Sequence, residues 1–251
     1  MKQFYLLVTL ILVFNSQQAT AQNDSIYFWK GGIKINQLSI KKADLDSITF
    51  KRTVAAIPTV TIGTQVWTIK NLDVATYSDG TPIPQVIEES KWEALTTGAW
   101  CYYNNDPANG TVYGRMYNWY AVAGIHDNDP NTPNKKLAPT GYHVPSDAEW
   151  TTLTDYLGGE VAGGKMKETS TAHWVSPNQD ATNSSGFTGL PGGVREPYFG
   201  AIGYGGYWWS SSEISELNTK VWTRLLAYYN GWVYISNGRK TIGFSVRCLR
   251  D

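Results

Sequence analysis

Over residues 60–67, Val60, Ile62, Val66 and Trp67 sit on either side of Gly63-Thr64, which predicts a strand, a glycine turn and a second strand. The period then changes. After Pro145 and Ser146, the apolar residues Trp150, Leu153 and Leu157 are spaced for one face of a helix. Ser146 can accept from the Glu149 amide while the Glu149 side chain reaches back, a capping box, and Gly158-Gly159 supplies a left-handed stop. Residues 91–95 predict a helical turn ahead of an aromatic strand at 100–103. Beyond Gly186, short aromatic strands alternate with Gly192-Gly193, Gly205-Gly206, Asn230-Gly231 and Asn237-Gly238, all read as turns. A few early helices and a late, twisted antiparallel sheet predict an α+β fold.

The N-terminus follows another pattern. Lys2 precedes an apolar stretch, 4–14, broken only by Thr9; polar residues 15–18 and then Ala19-Thr20-Ala21 follow. A charged start, a short greasy segment and a small-x-small site predict a secretory signal, 1–21, cut after Ala21. No apolar run reaches the roughly 20 residues that span a bilayer, so no membrane span is expected. No cysteine follows the cleavage site to carry a lipid anchor there. The protein is therefore expected to be exported: periplasmic, cell-surface associated or secreted.

Charge divides what remains. Residues 22–52 carry six basic and three acidic side chains, whereas 53–251 carry 14 and 18, with Ala55-Ala56-Ile57-Pro58 between. In the first segment, 25–30, Gly31-Gly32 and 33–36 read as a hairpin, and 46–50 as a further strand. So short a piece cannot bury a core alone, so 22–55 is read as a short β segment or spacer and 56–251 as the main domain. The whole chain balances 21 basic against 21 acidic residues, which offers no footprint for nucleic acid. With 17% charged residues beside 11 Trp and 16 Tyr, it is a chain that folds.

Candidate chemistry is sparse. In an exported protein the pair Cys101 and Cys248 is expected to form a disulfide, which could contribute roughly 5 kcal/mol in the chain-entropy model; the alternative is two buried free thiols. The oxygen-rich strings Asn104-Asn105-Asp106 and His126-Asp127-Asn128-Asp129 make Asn104, Asp106, Asp127 and Asp129 candidate calcium ligands, against their reading as ordinary turn chemistry without EF-hand spacing. His126, His143 and His173 lack zinc-site spacing. No other cofactor is expected. Aromatics crowd the last third. Trp209 and Trp222 are assigned to the core, while Tyr228, Tyr229 and Trp232 flank the polar Asn230-Gly231 turn and are the ligand-binding candidates, since flat rings stack on sugar faces. No nucleophile elbow, phosphate loop or zinc-protease motif occurs, and no catalytic residue is assigned. Glu88, Glu89, Glu196 and Glu213 could supply a glycosidase pair only if two lay about 5–9 Å apart. Glu149 is assigned to the helix cap, and Arg195 and Arg247 to structural anchoring.

Several strings together resemble a known family. Thr61-Ile-Gly-Thr-Gln-Val-Trp67, Tyr117-Asn-Trp-Tyr-Ala121, Leu137-Ala-Pro-Thr-Gly-Tyr-His-Val-Pro145, Leu190-Pro-Gly-Gly193, Trp208-Trp-Ser-Ser-Ser-Glu213 and Gly243-Phe-Ser-Val-Arg-Cys248 are similar, in order, to the Fibrobacter succinogenes major paralogous domain. The resemblance covers nearly all of 59–251. It implies a C-type-lectin-like fold, similar to the scaffold of the formylglycine-generating enzyme, in an exported or surface protein. Folds of that kind often hold calcium in loops. The reactive cysteine pair of that enzyme has no counterpart, because Cys248 has no cysteine neighbour; the scaffold is implied and the oxygenase chemistry is not. Residues 22–55 resemble leader segments of exported Bacteroidota proteins, and Asp24-Ser25-Ile26 and Asp46-Ser47-Ile48 resemble acceptor sites for O-glycosylation in those bacteria. The expectation is a non-catalytic lectin-like module for a surface glycan or protein ligand. A glycan-processing hydrolase and a purely structural surface protein are the alternatives.

Overall fold

The computed structural model describes residues 24–30, 33–40, 56–215 and 219–251. The secretory signal and the strand expected at 46–50 lie outside the described residues. The chain splits into two compact units, 1–55 and 56–251. In the first, β1 (Asp24–Lys30) and β2 (Ile33–Ile40) pair antiparallel on either side of residues 31–32, with a bulge between Phe28 and Trp29, which is the hairpin expected there.

The second unit opens with the expected strand–turn–strand, β3 (Thr59–Ile62) and β4 (Gln65–Thr68), closed at Gly63, whose φ of +60° suits a residue without a side chain. Short elements follow: α1 (Glu89–Glu93), β5 (Trp100–Cys101), α2 (Pro107–Tyr113), β6 (Met116–Tyr117), α3 (Trp119–Ala123) and β7 (Tyr142–His143). The expected helix, α4 (Asp147–Leu157), starts at a complete capping box, with the Ser146 amide donating to Glu149 Oε2 at 2.8 Å, and stops at left-handed Gly158. Trp150, Leu153 and Leu157 are buried beneath it. The short helix α5 (Gly163–Met166) comes next. The strands β8 (Gly192–Arg195), β9 (Phe199–Ile202), β10 (Gly205–Glu213), β11 (Lys220–Ala227) and β12 (Val233–Arg239) form one sheet in the order β12-β11-β10-β8-β9, antiparallel except where β10 meets β8.

The last strand, β13 (Leu249–Arg250), lies between β4 and β7 in a second sheet ordered β3-β4-β13-β7. The chain leading to it is buried from Ile242 to Leu249 and joins every layer. Phe244 exchanges backbone hydrogen bonds with Tyr117, Gly243 with Arg195, Ser245 donates to Tyr207, and Cys248 accepts from Thr68. The architecture is α+β, with few helices on mostly antiparallel sheets. No helix among the described residues is long and apolar enough to cross a membrane.

Tryptophans fix the layers. Burying an indole costs little when its N–H finds a partner. Trp92 donates to Thr241, Trp119 to Ser210, Trp150 to Trp209, Trp174 to Gly189, Trp208 to the Asn71 side chain and Trp209 to Tyr117. Buried Arg195 donates to the carbonyls of Val86 and Ile87, and buried Arg247 to those of Thr68, Phe187 and Thr188, so both anchor structural carbonyls as expected.

Two expectations are corrected. Gly192-Gly193, Gly205-Gly206 and Asn237-Gly238 lie inside strands and are not turns. Their missing side chains make room instead: a Cβ on Gly206 would stand 2.4 Å from the Trp208 ring, and one on Gly238 would stand 3.2 Å from Phe244 and Trp209. Trp209 is a core residue, but Trp222 is only half-buried, because it stands opposite the exposed Asn237 of the edge strand β12.

Candidate functional site

The connection from β11 to β12 is short, and the chain beneath it sets its shape. Helix α5 brings two glycines against it. A Cβ on Gly163 would lie 2.3 Å from the Trp232 carbonyl oxygen and one on Gly164 2.4 Å from that of Asp180, so only glycine permits these contacts. The Gly164 amide donates to Gly231 at 3.0 Å, and the Gln179 amide to Tyr228 at 2.8 Å. Lys167 completes the support. Its side chain is fully buried, and Nζ donates to the carbonyls of Gln179 (2.7 Å), Ala227 (3.0 Å) and Asn230 (2.8 Å), with the Trp174 ring 5.4 Å away. Burial lowers the Lys167 pKa to about 8, with the Asp180 carboxylate opposing.

On this support stands a run of aromatic rings. Tyr204 meets Tyr228 edge-on at 5.2 Å, Tyr228 meets Tyr229 at 5.4 Å, and Trp232 lies 6.0 Å from Tyr234. A hydrogen bond with Tyr234 raises the Tyr229 pKa and joins the two groups. Tyr204, Tyr229 and Trp232 are 52%, 55% and 49% exposed. The Asn230 side chain donates to the Tyr234 hydroxyl and accepts from the Trp232 amide, which fixes the turn. Gln179 and Asp180, both exposed, adjoin it, and a Cβ on Gly231 would touch the Asp180 side chain. The structure thus brings the candidates Tyr228, Tyr229 and Trp232 together with Tyr204 and Tyr234 as a single aromatic face with amide and carboxylate groups at its margin. Tyr204 and Lys167 were not singled out by the sequence. A lone lysine ordinarily reads as solvated surface, and Tyr204 lies 24 positions before Tyr228.

The candidate calcium ligands serve their own turns. Asp106 accepts from the Ala108 amide and caps α2, while Asn104 takes a left-handed φ of +52°. Asp127 accepts from the Asp129 amide, and Asp129 from the amide and side chain of Asn131. Asp127 and Asp129 share the wall of a cleft of about 380 Å³ with His126 and Thr96. Among the described residues no three His, Cys, Asp or Glu side chains are grouped to hold a metal ion. A second cleft, of about 300 Å³, is lined by Lys70, Asn71, Asp73, Glu168 and Thr188; Arg115 pairs with Asp73, and His173 with Glu168 at 2.9 Å. Glu88 pairs with Lys91 and Glu213 with Lys240, Glu89 opens α1, and Glu196 follows β8. Glu149 serves as the expected helix cap and also meets His143 at 2.9 Å.

The expected disulfide is not formed. Cys101 and Cys248 are both free and buried, in separate apolar clusters. Cys101 packs with Trp92, Ala99, Tyr103 and Met116, whereas Cys248 is tied to β4 through the Thr68 hydroxyl at 3.1 Å. Burial pushes the thiols up to about 11 and about 12, so neither offers a thiolate near neutrality. Iodoacetamide is therefore expected to modify both cysteines only in denaturant, and dithiothreitol to leave the melting temperature unchanged. A fall in melting temperature on reduction would restore the disulfide.

The family model of the Fibrobacter succinogenes major domain matches residues 60–250. No curated protein and no solved structure matches the chain.

Proposed function

We propose that this chain, which belongs to the Fibrobacter succinogenes major domain family, is an exported, non-catalytic, lectin-like module that binds a surface glycan. The observation that carries the reading is the aromatic cluster in which Tyr204, Tyr229 and Trp232 are exposed and Tyr228 and Tyr234 are half-buried beside them. Apolar C–H faces of pyranose rings lose water against such rings, and amide or carboxylate groups at the margin answer the hydroxyls. Here those groups are Gln179, Asp180 and Asn230. The charged group at the margin is the Asp180 carboxylate, which favours neutral over acidic glycans. Export rests on the charged, apolar and small-residue pattern of 1–21, and the lectin-like scaffold on the resemblance of the motifs.

A glycan array probed with and without calcium tests the reading. Neutral oligosaccharides are expected among the hits. Tyr229→Ala and Trp232→Ala are each expected to weaken the best hit by about tenfold or more, as truncation of an aromatic anchor does, while folding is unchanged. An array without hits in either condition, or variants that bind as the parent does, would remove the glycan from the proposal. A pull-down yielding a defined protein ligand instead would replace it.

A further inference from the structure

We propose that Lys167 is the positioning residue of the aromatic face, and that the face is competent to bind only while the Lys167 ammonium keeps all three of its carbonyl partners. The identity of the ligand rests on the glycan reading above; the state of the face does not.

Three acceptors meet three hydrogens. Gln179 lies in the loop beneath the face, Ala227 ends β11, and Asn230 sits in the turn, each between 2.7 and 3.0 Å from Nζ. The last two bracket Tyr228 and Tyr229, and Asn230 in turn holds the Trp232 amide and the Tyr234 hydroxyl. An ammonium has three N–H donors, whereas a neutral amine has two and one lone pair. Deprotonation therefore leaves one of these carbonyls without its donor and turns a lone pair toward an oxygen. An unmet buried carbonyl is costly enough to favour rearrangement of the segment that carries it. The remaining backbone links, from Gly164 to Gly231, from Gln179 to Tyr228 and from Tyr228 to Tyr204, keep the turn attached at its two ends.

The proton can be removed under mild conditions. Burial brings the Lys167 pKa down from 10.5 to about 8. The Asp180 carboxylate interacts with the ammonium and opposes that shift, and the Trp174 ring lies 5.4 Å from it; its other partners, in the 179–180 loop, at the end of β11 and in the turn, are backbone carbonyls. Linkage sets the sign. Between about 8 and 10.5 the unfolded chain retains a proton that the folded chain has released, so this group makes global stability rise with pH across that window. Order in the aromatic face falls over the same range. A lysine with a merely structural role would not send these two quantities in opposite directions.

Hydrogen exchange of the full chain tests this without any ligand. Protection of the amides of 228–234, corrected for intrinsic exchange, is expected to fall about tenfold as pH passes through the Lys167 transition, while stability to denaturant does not fall. Affinity for the strongest neutral array hit is expected to fall with it. Lys167→Met should show low protection at every pH and no inflection. Should that variant not fold, Asp180→Asn decides: losing the carboxylate that favours the ammonium moves the inflection to lower pH. Protection of 228–234 that is independent of pH in the parent chain overturns the proposal, as does an inflection that Asp180→Asn leaves in place. If protection responds but no glycan binds at any pH, the glycan reading fails and the role of Lys167 stands. If a glycan binds equally across the range, the reverse holds.

Discussion

Arg247→Met is expected to cost about 3–5 kcal/mol of folding stability, which for a domain of this size lowers the melting temperature by roughly 6–20 °C. Arg247 is 1% exposed, and its guanidinium donates to the carbonyls of Thr68, Phe187 and Thr188 and to the Asn71 side chain, at 2.7–2.9 Å. Its plane covers the Phe187 ring at 4.4 Å. Methionine fills much of the volume but supplies no donor. Three carbonyls would then be buried without partners, and the Asn71 Oδ1 would keep only its bond from Trp208. Arg250→Met is the control, since Arg250 is exposed and its guanidinium meets Tyr142, at 3.3 Å from the hydroxyl and 5.7 Å from the ring centre; a change within about 0.5 kcal/mol is expected there. Denaturant unfolding of the two variants measures the contrast. An Arg247→Met loss below about 1 kcal/mol would mean that the carbonyls find other donors at little cost.

The second large effect is expected at Trp150. Trp150→Ala should destabilise by about 3–5 kcal/mol through the cavity it opens and the indole bond it removes. The ring is fully buried, its centroid lies 4.7 Å from Trp67 and 5.9 Å from Phe187, and its N–H reaches the Trp209 carbonyl. It therefore links α4 to β10 and to the sheet that holds β13. Trp232→Ala removes a side chain of the same size from the exposed face and should leave denaturant stability within about 0.5 kcal/mol. Equal losses at both positions would mean that Trp232 is part of the core, and the aromatic face would no longer be free for a ligand.

What the sequence revealed was local. The β3–β4 turn and the capping box of α4 depend on residues within a few positions of each other, so their patterns survive in a linear reading. The glycines of β8, β10 and β12 misled for a physical reason: a glycine admits a tight turn, but it equally admits a neighbouring ring, and only the packed structure decides which. The cysteine pair misled in the same way, because an even count in an exported chain says nothing about which apolar cluster each thiol enters. The candidate site was half legible. Tyr228, Tyr229 and Trp232 stand out beside a polar turn, but Tyr204 joins them across the sheet. Lys167 reaches them from the residue after α5, 60 positions before Ala227 and 63 before Asn230. The longest-range contacts are the least visible of all. The Cys248 amide bonds the Thr68 hydroxyl over 180 positions, a pairing for which no short string gives notice.

The buried run from Ile242 to Leu249 also has a temporal side. A ribosome makes these residues after all the layers they join, so sheet β3-β4-β13-β7 lacks an inner member, and Tyr117, Arg195 and Tyr207 lack backbone partners, until the tail of the domain emerges. A domain completed by its last-made strand is expected to gain protection in that sheet only after residues 242–249 have left the ribosome.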